Sequence, residues 1–98
     1  MRVIKFSLNE NHYDKFKELC VSENITVKKK LNVLVAQDKD PKDIDSYFPE
    51  DANIHTKHLT LKVNEELYKG IIKNSDKYDI KIKKYVQYLI YKYLKGQS

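Results

Sequence analysis

The sequence predicts a mostly α-helical chain with one short two-stranded antiparallel ribbon, in the order strand, helix, helix, linker, strand, helix, helix. Three observations predict it: a repeat at an offset of 55 residues, strict apolar alternation at the start of each copy, and helical apolar spacing through the rest. Ile4-Lys5-Phe6-Ser7-Leu8-Asn9-Glu10 lies over Leu59-Thr60-Leu61-Lys62-Val63-Asn64-Glu65. Tyr13 then meets Tyr68, Phe16 meets Ile71, and Ile25-Thr26-Val27-Lys28-Lys29 lies over Ile80-Lys81-Ile82-Lys83-Lys84. Leu31, Leu34 and Val35 meet Val86, Leu89 and Ile90, with no gap needed between 4–35 and 59–90.

Composition narrows the class. Ninety-eight residues suit one domain, and 41% hydrophobic residues support a modest core. No run of apolar residues is long enough for a membrane span. The start, Met1-Arg2-Val3-Ile4-Lys5, lacks the apolar stretch of a secretory signal, so a cytoplasmic protein is expected. A single cysteine excludes an internal disulfide and a multi-cysteine zinc site. The net charge of +5 is unevenly placed. Residues 38–51 hold six acids and two lysines, a net −4, which leaves +9 on the rest. A basic body of this kind suits a polyanion, although a solvated lysine-rich surface explains the charge equally well.

Each half is justified in turn. Ile4, Phe6 and Leu8 alternate with Val3, Lys5 and Ser7, and Leu59, Leu61 and Val63 alternate with His58, Thr60 and Lys62. Period two means a strand with one buried face. Asn9 and Asn64 stand where a helix N-cap belongs, followed by Glu10 and by Glu65-Glu66. An Asn oxygen caps the free N–H groups, and the acids suit the positive end of the helix dipole. The first helices carry Tyr13, Phe16, Leu19 and Cys20 in one half and Leu67, Tyr68, Ile71 and Ile72 in the other. Asn24 and Asp79 occupy the breaks, where a left-handed residue is tolerated. Second helices are expected from about Thr26 to Gln37 and from about Lys81 to Leu94. Their apolar faces are Val27, Leu31, Leu34 and Val35, and Ile82, Val86, Leu89, Ile90 and Tyr93.

The linker, 38–56, carries Asp40-Pro41-Lys42-Asp43, which reads as N-cap, Pro at the first helical position and an acid three residues after the cap. Ile44, Tyr47 and Phe48 then fall at helical spacing before Pro49. One or two docked turns are expected; a solvated acidic loop is the alternative.

One strand and two helices cannot bury their apolar faces alone, and a two-stranded ribbon needs helices packed on it. The doubled strand-helix-helix order resembles the ribbon-helix-helix family of bacterial repressors, of the Arc, MetJ and CopG type. The resemblance covers 2–37 and 57–95 and rests on the two alternating segments and the inter-helix breaks. Members are usually homodimers. The resemblance therefore implies a single-chain pseudo-dimer, with repeats at 1–37 and 57–98 intertwined as one domain around the acidic linker.

It also implies double-stranded DNA as partner, no cofactor, no enzymatic activity, and a role in repression or in plasmid or phage DNA processing. The ribbon would enter the major groove, with Val3, Lys5, Ser7, His58, Thr60 and Lys62 as the base-contacting positions. Lys donates to guanine O6 and N7, and Ser and Thr donate or accept; Val3 departs from a polar reader. One strand would face each half-site, making an asymmetric site readable. The starts of the second helices would clamp phosphates: Thr26, Val27, Lys28 and Lys29 on one side, Lys81, Ile82, Lys83 and Lys84 on the other. Lysines in a first helical turn oppose the dipole, a cost that a bound phosphate explains.

Tyr78, Tyr85, Tyr88, Tyr91 and Tyr93 crowd the last helix. Tyr85, Tyr88 and Tyr91 fall beside its apolar stripe, either packing against the linker or meeting a neighbouring molecule side by side on DNA. For catalysis there is little: His12, His55 and His58 are scattered, Cys20 sits on a core-facing position, and Gly70 and Gly96 are isolated. Gly70 inside a helix weakens it or permits a close approach. Two other readings stay open: an antitoxin using the acidic linker, and a protein-interaction module that has lost DNA binding.

Overall fold

The computed structural model describes residues 2–37, 42–50 and 54–96. Among these the chain is mostly helical, with four helices and one two-stranded antiparallel sheet. The order is β1 (Arg2–Asn9), α1 (Glu10–Ser22), α2 (Val27–Gln37), a short 3-10 turn (Ile44–Tyr47), β2 (Thr56–Val63), α3 (Glu65–Lys77) and α4 (Ile82–Gly96).

The alternation places the strands. Ile4, Phe6, Leu8, Leu61 and Val63 are buried and Leu59 is half-buried, while Val3, Lys5, His58, Thr60 and Lys62 are exposed. The strands pair from Arg2 opposite Val63 to Asn9 opposite Thr56.

Both N-caps form. The Asn9 side chain accepts from the N–H groups of Asn11 and His12, at 3.0 and 3.2 Å, and Asn64 accepts from that of Leu67 at 2.8 Å. Both breaks take the same form. Asn24 and Asp79 are left-handed, with φ of 57° and 52°. The N–H of Ile25 donates to the Cys20 carbonyl and that of Ile80 to the Ser75 carbonyl, both at 3.0 Å. Asn24 and Asp79 donate to Val21 and Asp76, completing the paired bonds that end a helix on a left-handed residue. At the ribbon ends, the Arg2 guanidinium lies 5.1 Å over the Tyr68 ring and the Lys57 ammonium 4.4 Å over the Tyr13 ring. These two pairs stand 55 residues apart, as the repeat does.

α4 is the central element, and it packs on β1, α1, α2, α3 and the 3-10 turn. It therefore buries more than one stripe: Tyr85, Val86, Tyr88, Leu89, Ile90, Tyr91 and Leu94. A helix covered on all sides is apolar nearly all round. One expectation is corrected here: Tyr93 and Ile82, assigned to the stripe, are only half-buried. Tyr85, Tyr88 and Tyr91 are core residues, and Tyr88 and Tyr91 pack against the linker, the first of the two readings of the sequence.

The linker supplies part of that cover. Ile44 is buried, Tyr47 meets the Tyr88 ring edge-on at 5.6 Å, and Phe48 meets Tyr91 at 5.1 Å. Asp45 pairs with Lys84 of α4. The turn begins later than its capping signal. Asp40 and Pro41 lie outside the described residues, and the residue before the turn is Asp43, left-handed at φ 51° with no side-chain cap. Apolar docking by Ile44 and the aromatic pair sets its place, not the cap. Gly70 is exposed, and an added Cβ would meet nothing within 4 Å, so close approach is not its reason.

Candidate nucleic-acid interface

Six side chains stand on the outward face of the ribbon because their neighbours are held inward. The register arranges them in three cross-strand pairs: Val3 opposite Lys62, Lys5 opposite Thr60, and Ser7 opposite His58. Lys5 and Thr60 are also counterparts in the repeat, so the midpoint of the ribbon falls on them. The expectation that each strand serves one half is thereby corrected: antiparallel pairing mixes the strands, and each end carries one residue from each.

A pair of side-chain amides ties the second helices to the strand edges. Asn32 of α2 donates to the Lys62 carbonyl at 3.3 Å, and Gln87 of α4 donates to the Ser7 carbonyl. The α2 start thus belongs to the Val3 and Lys62 end, and the α4 start to the Ser7 and His58 end. At the latter, Lys83 and Gln87 close a groove with Lys5, Phe6, Ser7, His58, Leu59 and Thr60. Sequence reasoning singled out neither amide. The signal was present, because Asn32 lies over Gln87 in the repeat and each is a polar residue beside an apolar stripe.

The helix starts differ in detail. The Thr26 hydroxyl accepts from the Lys29 N–H at 3.1 Å, so α2 is capped by its own chain. Lys81 carries no acceptor, which leaves first-turn N–H groups of α4 to solvent or an anion. Thr26, Lys28, Lys29, Lys81 and Lys83 are exposed, and Val27 and Ile82 are half-buried. Lys84 is turned toward the linker, ion-paired to Asp45 with its ammonium 5.6 Å from the Phe48 ring centroid. Among the described residues, it is the one of the eight positions expected to meet phosphate that an acid already engages. Lys30, next to the α2 cluster, is likewise held by Glu23 at 3.0 Å and lies over Tyr93.

Titratable groups elsewhere are structural. The Tyr93 hydroxyl donates to the Glu23 carboxylate, which Lys30 also holds. These two partners hold the Glu23 carboxyl below its ordinary range, Tyr93 first. Burial, then the Glu23 carboxylate, pushes the Tyr93 phenol upward. Burial also pushes the Cys20 thiol up, which suits a small core side chain. Among the described residues no three His, Cys, Asp or Glu side chains gather as a metal site, and no helix is long and apolar enough to cross a membrane. Comparison of the chain with family models, curated proteins and solved structures finds no match.

Proposed function

We propose that the chain is a single-chain ribbon-helix-helix pseudo-dimer that binds double-stranded DNA by laying its ribbon in the major groove. Its role is transcriptional repression, or accessory work in plasmid or phage DNA processing. One observation carries the reading: six outward side chains in three register pairs, flanked at each end by a lysine-bearing helix start that an amide ties to the strand. A two-stranded ribbon fits the major groove, and Lys5, Ser7, His58, Thr60 and Lys62 offer groups that hydrogen-bond base edges. The helix starts supply N–H groups and ammonium charges for phosphates on either side. The lysines' cost against the helix dipole is relieved when an anion binds.

The test is salt-dependent binding to duplex DNA. With about four phosphate contacts, log affinity falls with a slope near −3.6 against log salt. Lys28→Gln, Lys29→Gln and Lys83→Gln each lower affinity for every sequence and flatten the slope by about 0.9. Lys84→Gln changes it less, because that ammonium already faces Asp45. A folded chain whose weak binding ignores salt overturns the reading.

A further inference from the structure

Resting on that reading of the ribbon, we propose that His58 makes one end of the interface a proton-coupled reader of guanine. His58 stands outward on β2 opposite Ser7. It is the only one of the six outward residues whose side chain ordinarily changes charge between about pH 5 and 8. The groups that share its groove are Lys5 of β1 and Lys83 and Gln87 of α4, with Ser7 and Thr60 beside them. α1 and α2 meet β2 elsewhere, through Tyr13 under Lys57 and Asn32 at Lys62. No carboxylate lines this groove among the described residues. The charged groups that line the groove with His58 are thus two ammonium groups.

A duplex reverses that balance. It brings phosphates over Lys83 and the first turn of α4, and guanine acceptors over the ribbon. A neutral imidazole has one donor and one acceptor, so it tolerates adenine, which shows an acceptor at N7 and a donor at N6. An imidazolium only donates; its two N–H bonds diverge, so one of them reaches N7 or O6 of guanine, an edge that only accepts, whereas the N6 donor of adenine opposes it. Binding at this end thus takes up a proton, and acidification both tightens binding and sharpens the guanine preference. The other end cannot respond this way, because Val3 and Lys62 do not titrate in that range. His55 precedes β2, with its carbonyl accepting from the Glu10 N–H, and His12 packs edge-on to Tyr91 on α1, so neither shares the outward face.

The experiment is a binding-site selection with the full chain, at about pH 6 and about pH 8 and constant ionic strength, followed by anisotropy titrations on the selected duplex. Uptake of one proton allows at most tenfold per pH unit, and about fivefold tighter binding at the lower pH is expected. The ends of the site are assigned with Lys62→Ala, which relaxes specificity at the Val3 and Lys62 end. Guanine enrichment at low pH is expected at the opposite end alone. His58→Gln and His58→Asn bind equally at both pH values, whereas His55→Gln keeps the native dependence. A His58 variant that binds and keeps that dependence overturns the proposal, as does native protein that binds duplex with no pH effect. Folded protein that binds no duplex at either pH overturns the DNA reading itself.

Discussion

Phe6 and Lys5 are neighbours in the chain with opposite consequences. Phe6 is 3% exposed on the inner face of β1, and Lys5 is exposed on the outer face. Phe6→Ala is expected to cost about 3–5 kcal/mol in chemical denaturation, the range for a buried aromatic that leaves a cavity. Lys5→Ala should leave stability within about 0.5 kcal/mol, as surface changes do, while weakening base discrimination at the centre of the bound site. Gly70 offers a change in the other direction. It lies exposed inside α3 with open space around its Cα, so Gly70→Ala should stabilise by about 0.5–1 kcal/mol through the backbone entropy of the unfolded chain. The Glu23 cluster gives the pH dependence. Its carboxyl is held low by Tyr93 and Lys30 in the folded chain, so its contribution is complete above the unfolded carboxyl range and is lost as pH falls through the lowered folded value. Denaturation midpoints of Glu23→Gln and the parent should therefore differ at neutral pH and converge in acid.

At the scale of elements, the 3-10 turn behaves as a piece of the core. Ile44 is 8% exposed, and its neighbours Tyr47 and Phe48 cover two buried tyrosines of α4. Ile44→Ala should cost about 2–5 kcal/mol, measured by denaturation; a change near zero would mean that the turn is only a strap. The same region marks where sequence legibility ended. Alternation of Ile4, Phe6 and Leu8, the two Asn caps and the two left-handed breaks are local signals, and each sits at its expected residue in the structure. That Tyr85, Tyr88 and Tyr91 stand beside the stripe was legible, but the choice between linker packing and a neighbouring molecule was not, because it depends on which helix the linker crosses. Periodicity marks the stripe of an isolated helix and is blind to a segment that arrives from elsewhere in the chain. The Asp45–Lys84 pair was not foreseen, since it too depends on where the linker lands. The ribbon register escaped differently. A slip of two residues keeps the same faces inward, so alternation alone does not place Lys5 opposite Thr60.

At the scale of the molecule, joining both strands of the ribbon in one chain changes what stability depends on. Ile4, Phe6 and Leu8 of the first half are covered by α4 and β2 of the second, and Asn32 reaches from the first half to Lys62 in the second. Neither half is closed by itself. In a dimer of separate halves, folding and association are one event, so a hundredfold dilution would remove about 2.7 kcal/mol of apparent stability. Here the strand pair and the α4 packing form within one chain, and mass action does not enter. The denaturation midpoint of the full chain should therefore stay constant over a hundredfold range of concentration, with light scattering giving the mass of one chain, 11.7 kDa. A midpoint that rises with concentration would show that strands are exchanged between chains. A peptide of residues 1–37 provides the converse measurement. Without β2 and α4 its inner strand face has no cover, so it should be unfolded when dilute by circular dichroism. Any helicity it gains should appear only as its concentration rises, when two copies can supply each other's missing strand.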